Sequence, residues 1–239
     1  MRVFPWLLIV CVLSFSGINL ARRVTRLAQS EPVTSTQQVT PARTMQDSGT
    51  RFAEALEDLL AATKETQYQH TTDIDEANGI VKCDCSGLLV YMLREHFPQA
   101  HLALHGKEAA WRKRPLAVTF YETFQAAPEE SGRKPWIQVK RLVEVLPGDI
   151  IAWRKKDIAR GKSTGHVLMV ASYPEMLRNG QVRIRTIEST SVLTTKGFQA
   201  SVKTFTTDRA GYPTGFLVNE KQRKADIAVG RLNDLGAVY

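Results

Sequence analysis

The chain has 239 residues, 43% of them hydrophobic, with 32 Lys and Arg against 24 Asp and Glu for a formal net charge of +8. That length can bury a full core without covalent staples, and three cysteines are too few for a disulfide scaffold. The positive charge is spread rather than concentrated and no nucleic-acid-binding motif accompanies it, so no nucleic-acid partner is expected.

In chain order, Arg2 precedes an apolar run from Val3 to about Leu20, broken at Ser14, Ser16, Gly17 and Asn19. This is the shape of a signal peptide and is marginal for a stable membrane span. Residues 1–21 are therefore predicted as a signal peptide or N-terminal anchor, and the protein as extracytoplasmic (periplasmic, secreted or envelope-associated). Ala21 offers a cleavage site, although Asn19 fits poorly at the third position back. Cys11 follows Val10 inside the run, which argues against a lipoprotein site. Residues 22–50 are rich in Gln, Ser, Thr, Pro and Ala, cannot bury enough apolar surface to order themselves, and read as a linker. One folded domain over 51–239 follows, with no internal repeat.

Phe52, Leu56, Leu59 and Leu60, ending at Ala62, predict a first helix. The run Asp73, Asp75, Asn78, Gly79 departs from the calcium-loop template and reads as an Asx-rich turn. The segment Asp84-Cys85-Ser86-Gly87 then opens a second helix: Leu88, Leu89, Met92, Leu93 and Phe97 recur at helical spacing, and Pro98 stops the run. Asp84 is the expected N-cap, which puts Cys85 in the first turn, where free amides and the macrodipole favour a thiolate. The alternative for Cys85 is a small buried hydrophobe. Cys83 and Cys85 are too close to bridge, so both are expected as free thiols, with Cys83 packing rather than reacting.

Trp111-Arg112-Lys113-Arg114 and Arg154-Lys155-Lys156 are the densest basic stretches; they are either solvated loops or a contact to an anionic envelope surface. Between them, Gly148-Asp149 leads into Ile150–Trp153, and Gly165 leads into His166–Val170; both apolar runs read as strands. His166 falls at the mouth of the second. A cysteine on a helix N-terminus facing a strand histidine is the layout of a thiol acyl-transfer site. The next strand runs from Gln181 to Glu188 after the Asn179-Gly180 turn. If the loop spans Pro174–Gly180, antiparallel pairing sets Glu188 opposite His166, as the group that orients the imidazole. Ser189 is the second choice. Gly215–Val218 and Asp226–Val229 are the last expected strands, completing an antiparallel sheet packed on the Cys85 helix.

The order Tyr68, then Asp84-Cys85-Ser86-Gly87 on a helix, then Gly148-Asp149, then Gly165-His166-Val167, resembles the NlpC-type cell-wall endopeptidases, a branch of the papain-like thiol hydrolases. The matching stretches are short and spread from Tyr68 to Glu188. The resemblance implies a papain-like α+β domain, with the nucleophile helix packed on an antiparallel sheet. It further implies a peptidase that cleaves amide bonds in peptidoglycan stem peptides, with Cys85 as nucleophile, His166 as base and no metal or cofactor. Tyr68 would match the family tyrosine that helps form the oxyanion hole with the Cys85 amide, and Asp84 and Ser86 would help hold the stem peptide. Peptidoglycan or its fragments is the implied partner, and the chain is expected as a monomer.

The sequence departs from that family in three ways. Tyr68 is followed by Gln69-His70-Thr71-Thr72 rather than an aromatic residue and paired glycines. Glu188 stands where the family usually has His, Asn or Gln, closer to the histidine. A long insertion precedes Gly148. Other readings are a same-fold amidase or acyltransferase on another amide or ester, a catalytically silent envelope-binding domain, or a zinc module built from Cys83, Cys85, His101 and His105. That last set lacks the usual Cys-x2-Cys clip.

Overall fold

A computed structural model describes residues 47–105, 113–156, 163–177, 179–191 and 196–234. The expected signal segment and nearly all of the expected linker lie outside these residues, as do Trp111 and Arg112 of the first basic stretch. The first helix, α1 (Ser48–Ala62), starts inside the expected linker. Asp47 caps it, its carboxylate accepting from the Thr50 amide at 2.9 Å, and Phe52, Leu56 and Leu59 point into the core. The helix thus includes three residues before 51, because its capping residue lies in a polar stretch.

Three short strands follow, β1 (Glu65–Gln67), β2 (Asp73–Asp75) and β3 (Ile80–Lys82), in a small sheet with β3 at its centre. The β2–β3 turn is the expected Asx turn: the Asn78 amide donates to Asp75 at 3.1 Å, and Gly79 takes a φ of 72°. Helix α2 (Cys85–His96) carries Leu88, Leu89, Met92 and Leu93, all nearly fully buried. Pro98 ends this helix and also begins the next, α3 (Pro98–His105), since the first turn of a helix needs no proline N–H.

The long insertion holds α3, then α4 (Ala117–Gln125) and β4 (Trp136–Val139). The main sheet continues with β5 (Ile150–Arg154), β6 (Gly165–Val170), β7 (Glu175–Met176) and β8 (Gln181–Thr190). It finishes with β9 (Gly197–Thr207), β10 (Pro213–Val218), β11 (Lys221–Lys224) and β12 (Asp226–Leu232). These make one nine-stranded antiparallel sheet in the order β11-β10-β9-β8-β6-β5-β12-β4, with β7 paired to β8. The chain is thus α+β, with four α-helices among the described residues and a large antiparallel sheet. The last strand enters the sheet between β4 and β5 rather than at an edge.

Strand β6 is buried on both faces, with Val167, Leu168, Met169 and Val170 all at 0% exposure. Val167 and Met169 pack under α2 in the first core, whereas Leu168 and Val170 join Val182, Ile184 and Phe205 in a second. Among the described residues the second core takes no side chain from an α-helix, although it includes Leu142 of the short 3-10 turn Leu142–Glu144. It is closed by the sheet curling on itself, which brings Phe216 of β10 to 4.5 Å from Trp153 of β5, ring centre to ring centre. No described helix is long and apolar enough to cross a membrane.

Candidate active site

Asp84 caps α2 as its position requires, accepting from the Gly87 amide at 2.7 Å, and Cys85 is the first helical residue. Capping by Asp84 leaves the Cys85 amide among the first-turn donors that no helical carbonyl satisfies. Two ties hold this end of the helix against the sheets. Parallel pairing of β1 with β3 puts Tyr68 alongside the approach to Cys85, and the Ser189 hydroxyl of β8 donates to the Cys83 carbonyl at 2.7 Å. Ser189 therefore anchors backbone and does not orient the imidazole.

His166 is the second residue of β6. Gly165 before it has a φ of 148°, and a Cβ there would meet the Trp153 carbonyl oxygen at 1.9 Å. The glycine lets the two strands close up at the point where the histidine leaves the sheet. Trp153, paired with His166 across β5–β6, lies with its ring centre 4.9 Å from the imidazole and limits the ring's tilt.

His166 Nε2 donates to Glu188 Oε2 at 2.5 Å. A carboxylate can only accept, so the proton stays on Nε2 and Nδ1 is left for the thiol. The Cys85 side chain lies close enough to the ring to raise the imidazole's pKa. The pairing expected for Glu188 was shifted, however. Met169 pairs with Ile187 and Val170 with Thr186, a register that, extended along β6, faces His166 with Thr190. Beyond Val170 the chain bulges: β7 rejoins β8 with Glu175 opposite Arg183, four residues on one side answering two on the other. A shift of two keeps Glu188 on the same face as His166, diagonal to it, and long side chains bridge that diagonal.

Glu188 is also not a solvated strand end. It is 1% exposed, and its second oxygen takes a 2.7 Å ion pair from Lys203 and a short hydrogen bond from the Ser201 hydroxyl, both on β9. Burial alone would raise its pKa, but His166 and Lys203 outweigh that and hold the carboxyl at about 2. Burial likewise disfavours the charged imidazole, yet Cys85 first and then Glu188 lift His166 to about 9. The imidazole beside the Glu188 carboxylate is therefore favoured in its protonated form. Lys203 and Ser201 had no sequence signal, because β9 has no alternation strong enough to mark it.

Tyr68, His70, Trp153, Lys155, His166, Lys203 and Phe216 line a cleft of about 500 Å³. Cys85 is 6% exposed. Burial, and then the nearby Cys85 charge, raise the Tyr68 pKa, so its hydroxyl stays a proton donor. Asp84 and Ser86 do not line this cleft. Both are buried and joined to Arg114, which reaches Asp84 at 2.6 Å and the Ser86 hydroxyl at 2.7 Å. His70 adds a 3.2 Å contact to the same Asp84 oxygen. Their visible work is to fix the start of α2. Arg114, from the first basic stretch, is thus tied into the fold.

Asp149 is a structural residue. It is 1% exposed and gripped by Arg231 through two contacts of 2.9 and 2.8 Å, while Gly148 admits the Gly49 backbone of α1. Cys83 is buried, and burial pushes its thiol up to about 12, which makes it inert. Among the described residues no three His, Cys, Asp or Glu side chains converge as a metal site.

No known family's profile and no solved structure matches the chain. It is similar to an uncharacterized protein, R653, of Acanthamoeba polyphaga mimivirus, with 29% identity over 123 residues that cover 47% of this chain and 50% of that protein. The chain spans about half the length of this curated relative.

Proposed function

We propose that the chain is a thiol hydrolase of papain-like fold, related to the NlpC-type endopeptidases, and that it cleaves an amide bond through an acyl-enzyme on Cys85. The observation that carries this is the His166 ring, held at 2.5 Å by the buried Glu188 and close enough to Cys85 for the thiol to raise its pKa. A core histidine needs neither partner, and the cost of burying Glu188 is offset by partners that include the imidazole itself.

In the reaction, the thiolate attacks a carbonyl carbon while His166 stays protonated. The developing oxyanion is met by the Cys85 amide and the Tyr68 hydroxyl. His166 then protonates the departing amine from Nδ1, and the neutral ring takes a proton from water as that water attacks the thioester. Throughout, Glu188 holds Nε2–H and keeps the imidazole in the tautomer the cycle needs.

Peptidoglycan stem peptides are the substrate class that the motif resemblance supports, with an extracytoplasmic, envelope-associated site of action. The test is mass spectrometry of products after the protein meets peptidoglycan fragments, with Cys85→Ala beside it. Shortened stem peptides from the wild type alone are expected. Intact fragments with a folded, reduced protein would refute the substrate.

A further inference from the structure

The buried ion pair beneath His166 has a member that the proposed chemistry does not use. Lys203 Nζ lies 2.7 Å from Glu188 Oε1, and the lysine side chain is 19% exposed. Ser201 donates to the same oxygen, and its own oxygen accepts from Thr186 at 2.9 Å, so the carboxylate is already supplied with neutral hydrogen bonds. Two donors, Ser201 and His166, would satisfy Glu188 without a second cation. Lys203 also lines the cleft itself, together with His166 and Tyr68. A lysine directed inward from a strand of a curled sheet loses hydration that only a stable charge partner restores.

We infer that Lys203 is a positioning residue: with Cys85, His166 and Glu188 it completes a row of alternating charge, and its cation fixes the pH range over which the thiolate–imidazolium pair exists. This rests on the thiol-hydrolase reading of the site.

The electrostatic sense of the contribution follows from the order of the row. An isolated Glu188 carboxylate would over-stabilise the imidazolium and hold the proton too firmly to be given to a leaving amine. Lys203 cancels part of that field at the carboxylate. As a positive charge on the same row it also favours the thiolate over the thiol. Other titratable or charged groups face this row as well. Tyr68 and His70 come from the segment after β1, Lys155 from the segment after β5, and Asp84 with Arg114 from the cap of α2. Asp84 and Arg114 neutralise one another and Tyr68 remains neutral, so among the described residues Lys203 is the cation that joins the imidazolium in contact with the Glu188 carboxylate.

The test reads the thiol directly and needs no substrate. The rate of Cys85 alkylation by iodoacetamide is followed from pH 4 to 10 by intact-protein mass spectrometry, with Cys85→Ala to show that Cys83 stays unmodified. Wild type should give two inflections, the lower for formation of the thiolate and the upper for loss of the imidazolium proton. In Lys203→Met both should move upward, by roughly one pH unit, because a nearby positive charge has been removed from two proton-binding groups. Lys203→Arg should restore both. Lys203→Gln, which keeps a donor for Glu188 but not the charge, should behave like Lys203→Met and serves if the methionine variant does not fold. Inflections that stay in place in the folded Met or Gln variant would overturn the inference, leaving Lys203 a structural tie. A wild-type profile with one ordinary thiol inflection would instead overturn the thiol-hydrolase reading on which it rests.

Discussion

Glu188 shows how far a single side chain depends on its surroundings. Its carboxyl is held at about 2 and the His166 ring at about 9, against ordinary values of 4.5 and 6.5. A depressed carboxylate stabilises the fold above its unfolded pKa and loses that contribution as pH falls; a raised histidine stabilises below its unfolded pKa and loses it as pH rises. The melting temperature should therefore be highest between pH 4.5 and 6.5, falling toward pH 2 on one side and toward pH 9 on the other. Glu188→Gln should flatten the acid limb; an unchanged acid limb would show that the pair contributes nothing to folding. On turnover, Cys85→Ala should leave no measurable hydrolysis. Glu188→Gln should cost about 10- to 100-fold in kcat, less than loss of the nucleophile, since Gln still accepts from Nε2–H while losing the charge. Tyr68→Phe should cost about 10- to 100-fold in kcat with little change in KM, the pattern of a group that binds only the oxyanion.

At the scale of the element, the start of α2 is where stability and chemistry share residues. Asp84 caps the helix and neutralises Arg114, and Arg114 also reaches Ser86. Asp84→Ala removes a cap worth about 1 kcal/mol and strands a half-buried guanidinium, so a loss of roughly 3 kcal/mol in a urea titration is expected. Asp84→Asn keeps the cap acceptor and should lose less; equal losses would mean that the Arg114 pair contributes nothing. The helix and its cap were legible in the sequence because one short segment holds both the capping residue and the apolar spacing. Strands β5 and β6 were legible for a similar reason, their apolar runs being short and bounded by Gly148 and Gly165. The β6–β8 register was misjudged because the hairpin turn comes later than expected, with β7 inside the expected loop, and the extra residues after Val170 recover only half of that shift. Strand β9 and the α4–β4 insertion were missed altogether. Their burial comes from distant partners, as when Trp136 stacks on Phe124, and no local period reports it.

Across the described residues, the first helix packs on the start of β5 and on the segment after β12. Gly49 of α1 meets Gly148 at the start of β5, and the Ser48 amide donates to Asp234 beyond β12 at 2.6 Å. A chain that begins at Arg51 forfeits the Asp47 cap and both of these contacts. It should melt several degrees below one that begins at Thr44, at about 2–4 °C per kcal/mol for this size. Equal melting temperatures would put the folded boundary back at residue 51. The same packing explains why β12, late in the sequence, sits in the interior of the sheet: Arg231 on it binds the buried Asp149 that precedes β5. The Gly148-Asp149 motif therefore serves the frame that presents Cys85 to His166 and takes no part in the chemistry.

The central claim is that Cys85 becomes acylated. It is tested most directly by mixing the protein with a small activated ester, quenching within milliseconds to seconds, and measuring the intact mass and the modified peptide. A single acyl group is expected on Cys85, disappearing as product forms, with no adduct in Cys85→Ala or at Cys83. Ester hydrolysis that persists in Cys85→Ala, or an acyl group carried elsewhere in the chain, would contradict it.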